Sequence, residues 1–250
     1  MILKANIKEI KLINHIMGKT ILENIDFEIN TGSVYTILGK NGSGKSTLIK
    51  SLTKLLDSKS YSVDGFVFFN DENIFLMNDE RLLQLRQKEV RYVLQDLTNN
   101  FDPLKKLKYY FPKYEPTEDQ ISIQLKEYLL PDYKTISELH PYEISGGMAQ
   151  RLSLMLALLP NPKLVILDEP TSAVDYTNTN LIKLKLNDFT KNNGSVLIVT
   201  HDIMFAKEIS DKIAFLENGV LSELVPKDLF FSNANKNVYS EFIKSYNMIV

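Results

Sequence analysis

Cysteine is absent from the 250 residues. Disulfides, thiolate zinc sites and Cys-ligated iron–sulfur clusters are therefore excluded outright. An excess of one charge is also missing: Lys+Arg 29 against Asp+Glu 31 leaves a net charge of -2. That balance argues against a strongly electrostatic partner such as duplex DNA. Long apolar runs are lacking too. The longest, residues 152–159, stops at Pro160, well short of the roughly 20 residues a membrane helix needs. Lys4, Lys8, Glu9 and Lys11 interrupt the apolar positions at the start of the chain, so no signal peptide is expected there. If the protein moves something across a membrane, another chain provides the path.

What is present is ordinary for a soluble globular protein, with 44% apolar and 24% charged residues. The length leaves room for one large domain, or a core with one inserted lobe. Residues 2–10 and 24–29 alternate apolar and polar and read as antiparallel strands. Thr31-Gly32-Ser33 breaks that pattern before the apolar run 34–38, a buried strand. A Gly-rich turn follows, then a helix from Lys45 to about Leu55, a strand at 65–69, a helix at 80–85 and a strand at 90–94. From Asp96 to about Pro160 strand patterns vanish, prolines stand at 103, 112, 116, 131 and 141, and 121–130 is helical in pattern. This stretch reads as an inserted, mostly helical lobe. Strand signals resume at 164–167 and 196–200, with a final strand around 213–216 and a helical C-terminus over 227–249. Strand–helix alternation on both sides of an insertion indicates an α/β core with a mainly parallel sheet.

Gly39-Lys40-Asn41-Gly42-Ser43-Gly44-Lys45-Ser46 fits G-x-x-x-x-G-K-[ST] between a buried strand and a helix, the context this motif requires. Its glycines let backbone N–H groups surround phosphate oxygens, and the helix N-terminus adds favourable partial charge. Lys45 would reach the β- and γ-phosphates, Ser46 would ligate Mg²⁺, and Thr47 would contact phosphate nearby. The strand 164–167 runs into Asp168-Glu169. A parallel strand delivers Asp168 to the sheet edge where ligands bind, beside the phosphate loop. Asp168 suits Mg²⁺, and Glu169 would face the γ-phosphate and polarise the attacking water. His201, after the strand 196–200, lies on the same edge. On position alone it is either a γ-phosphate contact or a structural residue.

Ile144-Ser145-Gly146-Gly147-Met148-Ala149-Gln150-Arg151 resembles the L-S-G-G-Q signature of ABC ATPases. Physically it is a second phosphate-binding helix terminus, with a hydroxyl, two glycines and exposed N–H groups. The family pattern continues in order over nearly the whole chain. Gln95 stands where the family's Q-loop glutamine senses Mg²⁺ and links ATP to the helical lobe. Ser172-Ala173-Val174-Asp175 resembles the D-loop at the dimer interface, and His201 matches the switch histidine. The resemblance implies one ABC ATPase domain over 1–250. Its α/β P-loop core would comprise 1–95 and 161–250, with a mainly parallel sheet and an antiparallel β-subdomain. The helical subdomain 96–160 would carry the signature.

Shorter matches point within the family. Leu85-Arg86-Gln87-Lys88-Glu89-Val90 running to Gln95-Asp96, Asp102-Pro103-Leu104, and Pro141-Tyr142-Glu143 resemble segments of dipeptide, oligopeptide, nickel and metallophore importer ATPases. Such a resemblance implies ATP and Mg²⁺ as cofactors and a second ATPase subunit, as a different chain or a second copy. It also implies two transmembrane permeases, an extracytoplasmic solute-binding protein acting indirectly, no nucleic acid partner, and a peripheral place on the cytoplasmic face of the membrane. The cargo would be peptides, nickel or a metal chelate.

Three departures stand out. Where the family stacks adenine on an aromatic residue, this chain reads His15-Ile16-Met17-Gly18. The Cys-bearing C-terminal extension of many peptide-type members has no counterpart, which leans toward the nickel or metallophore type. Met148 replaces the signature glutamine. A non-transport ABC ATPase acting on nucleic acid or ribosomes is the alternative, but paired cassettes, zinc modules, coiled-coil insertions and basic extensions do not occur. A regulatory module without hydrolysis is disfavoured by the presence of both Glu169 and His201.

Overall fold

The computed structural model describes residues 1–13, 18–94, 101–112, 116–171 and 176–232. The chain opens with the antiparallel pair β1 (Leu3–Leu12) and β2 (Lys19–Ile29), in register from Leu3 opposite Ile29. Then come β3 (Val34–Leu38), α1 (Lys45–Ser51), β4 (Tyr61–Phe69), the two-residue β5 (Glu72–Asn73), α2 (Asp79–Gln84) and β6 (Val90–Val93). Among the described residues only helices follow up to residue 158: α3 (Glu118–Glu127), α4 (Tyr133–Ile136) and α5 (Gly146–Leu158), with short 3₁₀ turns at Leu107–Tyr110 and Pro141–Glu143. The order then alternates through β7 (Leu164–Asp168), α6 (Tyr176–Lys191), β8 (Ser195–Thr200), α7 (Ile203–Ile209) and β9 (Lys212–Glu217). It closes with β10 (Val220–Leu221), β11 (Val225–Pro226) and α8 (Lys227–Ser232).

One continuous sheet runs β5-β4-β1-β2-β10-β9-β3-β8-β7-β6, with β11 paired to β9 off this path. Its β9-β3-β8-β7-β6 block is parallel, whereas β1, β2, β4 and β5 pair antiparallel. The α/β class and the mixed sheet agree with the sequence reading.

The parallel strands are uniformly apolar because both faces are covered. Along β8, Leu197 and Val199 join the cluster containing Leu48, Ile49 and Leu52 of α1. The alternate residues Val196 and Ile198 join Leu152 and Met155 of α5 and Ile182 and Leu186 of α6. Burial of each such side chain contributes about 1.5–3 kcal/mol. Parallel orientation has a functional consequence: β3, β7, β8 and β9 all deliver their C-terminal ends to one edge, with Asp168 level with Val199 and Leu38 level with Thr200.

Several boundaries differ from the sequence expectation. Helix α1 ends at Ser51 rather than near Leu55, because Lys54 takes a left-handed φ of 54°. The Arg86 guanidinium caps the released carbonyls, donating to Thr53 O (2.8 and 3.1 Å) and Lys54 O (2.6 Å). Strand β4 starts at Tyr61, not Gly65. Gly65 has φ 135°, and a Cβ there would lie 2.3 Å from Asn6 O, so the glycine marks a close backbone approach at a register shift and not a strand start. Helix α3 lies three residues upstream of the expected 121–130, since Thr117 and Gln120 form a capping box and Leu129 turns left-handed at φ 54°. The strand at 213–216 is not the last one, as β10 and β11 follow. Of the expected C-terminal helix, 227–232 is helical and residues 233–250 lie outside the described residues.

Candidate functional site

The turn after β3 is shaped by backbone approaches that only glycine permits. A Cβ on Gly39 would lie 2.6 Å from Leu216 O and 2.8 Å from Ser43 Oγ. Gly44, the residue before α1, has φ 101° and offers no side-chain cap to the helix. The first N–H groups of α1 therefore have no side-chain acceptor from that residue, the arrangement that suits phosphate. Asn41 and Gly42 are exposed, and Ser43, Ser46 and Thr47 are half-buried.

Lys45 turns back over this loop. Its Nζ donates to Gly39 O at 2.8 Å and Lys40 O at 3.1 Å, and lies 3.2 Å from Glu169 Oε1. Both side chains are buried, at 6% and 5% exposure. Glu169 leaves β7 in a left-handed conformation, φ 50°, with its N–H donating to Val199 O at 2.9 Å. Its Oε2 accepts from Thr200 Oγ1 at 2.9 Å and from the His201 N–H at 3.2 Å, and lies 2.9 Å from His201 Nδ1. His201 itself is half-exposed. One carboxylate thus links the ends of β7 and β8 with the phosphate loop after β3.

Asp168, next to it, is 5% exposed. Burial pushes its carboxyl up from the ordinary carboxylate value, a hydrogen bond from Ser46 pulls the other way, and the Glu169 charge adds to the upward push. Its Oδ1 has no hydrogen-bond partner among the described residues. A buried acid with an orphan oxygen, tied to a phosphate-loop hydroxyl, fits a hard cation bound through oxygen donors.

The turn Ser145–Gly147 is built as a helix start. Ser145 Oγ accepts from the Met148 N–H at 3.2 Å, and α5 begins at Gly146. This cap fixes the start of the helix there. Ser145 and Gly146 are exposed. Among the described residues, no hydrogen bond or ion pair joins 145–147 to the phosphate loop of the same chain.

Lys45, Ser46, Asp168, Glu169 and His201 are thus brought together, and the signature turn is not linked to them. Gln95, the D-loop-like 172–175 and the adenine-loop positions His15 and Ile16 lie outside the described residues. A cleft of about 490 Å³ opens beside the phosphate loop between Lys19–Ile21, Lys40–Ser43 and Leu216–Gly219, with no aromatic side chain among the described residues that line it. Two residues of the site escaped the sequence reading. Thr200, the polar end of an apolar strand, holds Glu169, and Gln150 donates to Pro170 O.

A phosphate-binding loop on a parallel sheet edge, faced by two consecutive carboxylates, defines a P-loop nucleotide-binding protein. Residues 22–172 match the family model described as ABC transporter, and the chain belongs to that family. The chain is 34% identical over 223 residues to the dipeptide transport ATP-binding protein DppD of Caldanaerobacter subterraneus subsp. tengcongensis, covering 84% of this chain and 68% of that protein. It is 31% identical over 230 residues to the glutamine transport ATP-binding protein GlnQ of Geobacillus stearothermophilus, covering 89% and 91%. The fold matches the ATP-binding cassette MJ0796, solved as a post-hydrolysis dimer bound to ADP and Pi. That match has a TM-score of 0.74 and 24% identity and covers 90% of this chain and 98% of that one. The expectation of an ABC ATPase is borne out. Among the described residues no helix is long and apolar enough to cross a membrane.

Proposed function

We propose that this chain is the ATP-hydrolysing subunit of an importer, driving uptake of peptides, nickel or a metal chelate through separate permease subunits. The observation that carries the reading is Glu169 held between Lys45 and His201 at the sheet edge. The γ-phosphate of ATP would take over the Lys45 ammonium and free Glu169 to orient a water. That water attacks the γ-phosphorus, the bond to the β–γ bridging oxygen breaks, and ADP and phosphate leave. Catalysis is mainly positioning and charge stabilisation, as phosphoryl transfer requires. His201 would contact the γ-phosphate from the half-exposed side.

Asp168 and Ser46, with Gln95, would hold Mg²⁺, which when bound neutralises phosphate charge. Ser145, Gly146 and Gly147, on the helical subdomain 96–160, would bind the nucleotide of a second ATPase subunit, either another chain or a second copy. The dimeric solved neighbour supports that arrangement by its fold. Coupling to the permeases would run through the Gln95 loop, with the chain peripheral on the cytoplasmic face of the membrane. The importer type rests on the run from Leu85 to Asp96 and on Pro141-Tyr142-Glu143. Because relatives of similar identity are named for dipeptide and for glutamine transport, the cargo must be assigned by the partners.

The test is isolation of the tagged chain from gently solubilised native membranes, with identification of the co-purifying chains. Two multi-span permeases, with or without a second ATPase, are expected. Ribosomes or DNA-repair factors in their place would overturn the transport reading and leave the ATPase in place.

A further inference from the structure

The helix that follows the signature serine is clamped to the chain that follows the catalytic carboxylate. Gly147, Gln150 and Arg151 are spaced i, i+3 and i+4 and so share one face of α5. Gln150, 3% exposed, donates its amide to Pro170 O, one residue beyond Glu169. Arg151 Nη1 donates to Asn178 Oδ1 at 2.7 Å. Asn178, in the first turn of α6, is itself buried at 6% exposure. Its amide nitrogen covers Gly147 so closely that a Cβ there would lie 2.7 Å away. Gly147 therefore has a local reason to be glycine besides phosphate approach: the Asn178 side chain fills the space a Cβ would take. A guanidinium can only donate, which fixes the Asn178 carbonyl oxygen toward Arg151 and the nitrogen toward Gly147.

We propose that Asn178 is a positioning residue that locks the signature turn Ser145–Gly147 to the segment leading away from Glu169. A chain built this way presents its signature to a partner's nucleotide in fixed relation to its own catalytic strand. Asn178 is no part of the Lys45 loop, so nucleotide affinity at that loop is independent of it. The role rests on the reading of 145–147 as a phosphate-binding turn.

The experiment uses the full chain and two variants. Asn178→Leu keeps the size and removes the acceptor, and Asn178→Asp keeps an oxygen facing Arg151. Without nucleotide, hydrogen exchange of the Met148 and Ala149 amides, which donate to Ser145, should speed up by about ten-fold in Asn178→Leu, the scale of one charge-assisted hydrogen bond. It should return to within about two-fold of the parent in Asn178→Asp, because the charge-assisted bond to Arg151 is kept. A fluorescent ATP analogue should bind the parent and both variants alike, while kcat for ATP falls at least about ten-fold in Asn178→Leu, the positioning loss expected of a displaced phosphate contact.

Unchanged exchange in Asn178→Leu, or no recovery in Asn178→Asp, overturns the clamp. Accelerated exchange with unchanged kcat keeps the clamp and overturns the reading of the signature turn instead. Should Asn178→Leu fail to fold, Arg151→Met removes the donor from the other side and must produce the same acceleration.

Discussion

Lys45 Nζ lies 3.2 Å from Glu169 Oε1, and both side chains are more than nine-tenths buried. Without nucleotide, the ammonium proposed to bind phosphate is matched by the same carboxylate proposed to act on water. An incoming triphosphate replaces one anion with another, so the buried charge never stands alone. Lys45→Met should therefore cost more than ligand binding. Removing one partner of a buried pair costs about 3–5 kcal/mol, so the nucleotide-free variant should melt well below the parent in a thermal scan. It should also give no further shift with ATP.

His201 reports on a different balance. Half of its side chain is exposed, and its N–H and Nδ1 both face Glu169 Oε2. Its loss should leave folding almost untouched and strike turnover. His201→Ala is expected to keep the parent melting temperature within a few degrees, as exposed positions do, and to lower kcat by about 10²–10³, the scale of one lost transition-state donor. Circular dichroism melts and steady-state phosphate release measure the two effects.

Burial disfavours the charged form of Asp168 in the nucleotide-free protein. Its carboxyl is pushed up by burial and by the Glu169 charge. The folded chain holds that proton more tightly than the unfolded chain does, so this group's contribution to stability falls as pH rises through the window above its ordinary value of 3.8. Asp168→Asn should raise the melting temperature of the nucleotide-free chain at pH 7 and lose that advantage near pH 4. The additional thermal shift that Mg²⁺ gives over ATP alone should shrink in the same variant.

Arg86 holds the C-terminal end of α1 from a distant part of the chain. Three hydrogen bonds to the carbonyls of Thr53 and Lys54 depend on it. Arg86→Ala should destabilise the protein by about 1.5–3 kcal/mol, the cost of carbonyls left without a charged donor. Arg86→Lys should recover only part of it, since an ammonium cannot reproduce the planar fork. Denaturant titration with an unchanged slope would establish that stability alone has moved.

The features that were legible in sequence are those carried by local chemistry. The loop from Gly39 to Ser46 is one contiguous motif, and the parallel strands announce themselves as short apolar runs. Asp168 and Glu169 were visible as the polar end of such a run, and parallel topology then put them beside the loop. The bond between Glu169 and Thr200 was not visible, because it depends on β7 lying next to β8 in the sheet. The end of α1 is not legible for a similar reason: the residue that caps it, Arg86, is 32 or 33 positions away. Gly65 looked like a strand boundary, although its meaning lies in the Asn6 carbonyl across the sheet. Asn178 has no motif at all, and only the packing of α5 on α6 gives it a role.

The role of Glu169 is tested most directly by ATP hydrolysis in the full chain beside Glu169→Gln, with nucleotide affinity measured in parallel. Glutamine keeps the shape of Glu169 but cannot accept a proton from water, nor compete as an anion for Lys45. In Glu169→Gln, kcat should fall by about 10²–10⁴, the usual contribution of a positioned general base, while a fluorescent ATP analogue binds at least as tightly as to the parent. Hydrolysis near the parent rate would show that Glu169 is not the general base.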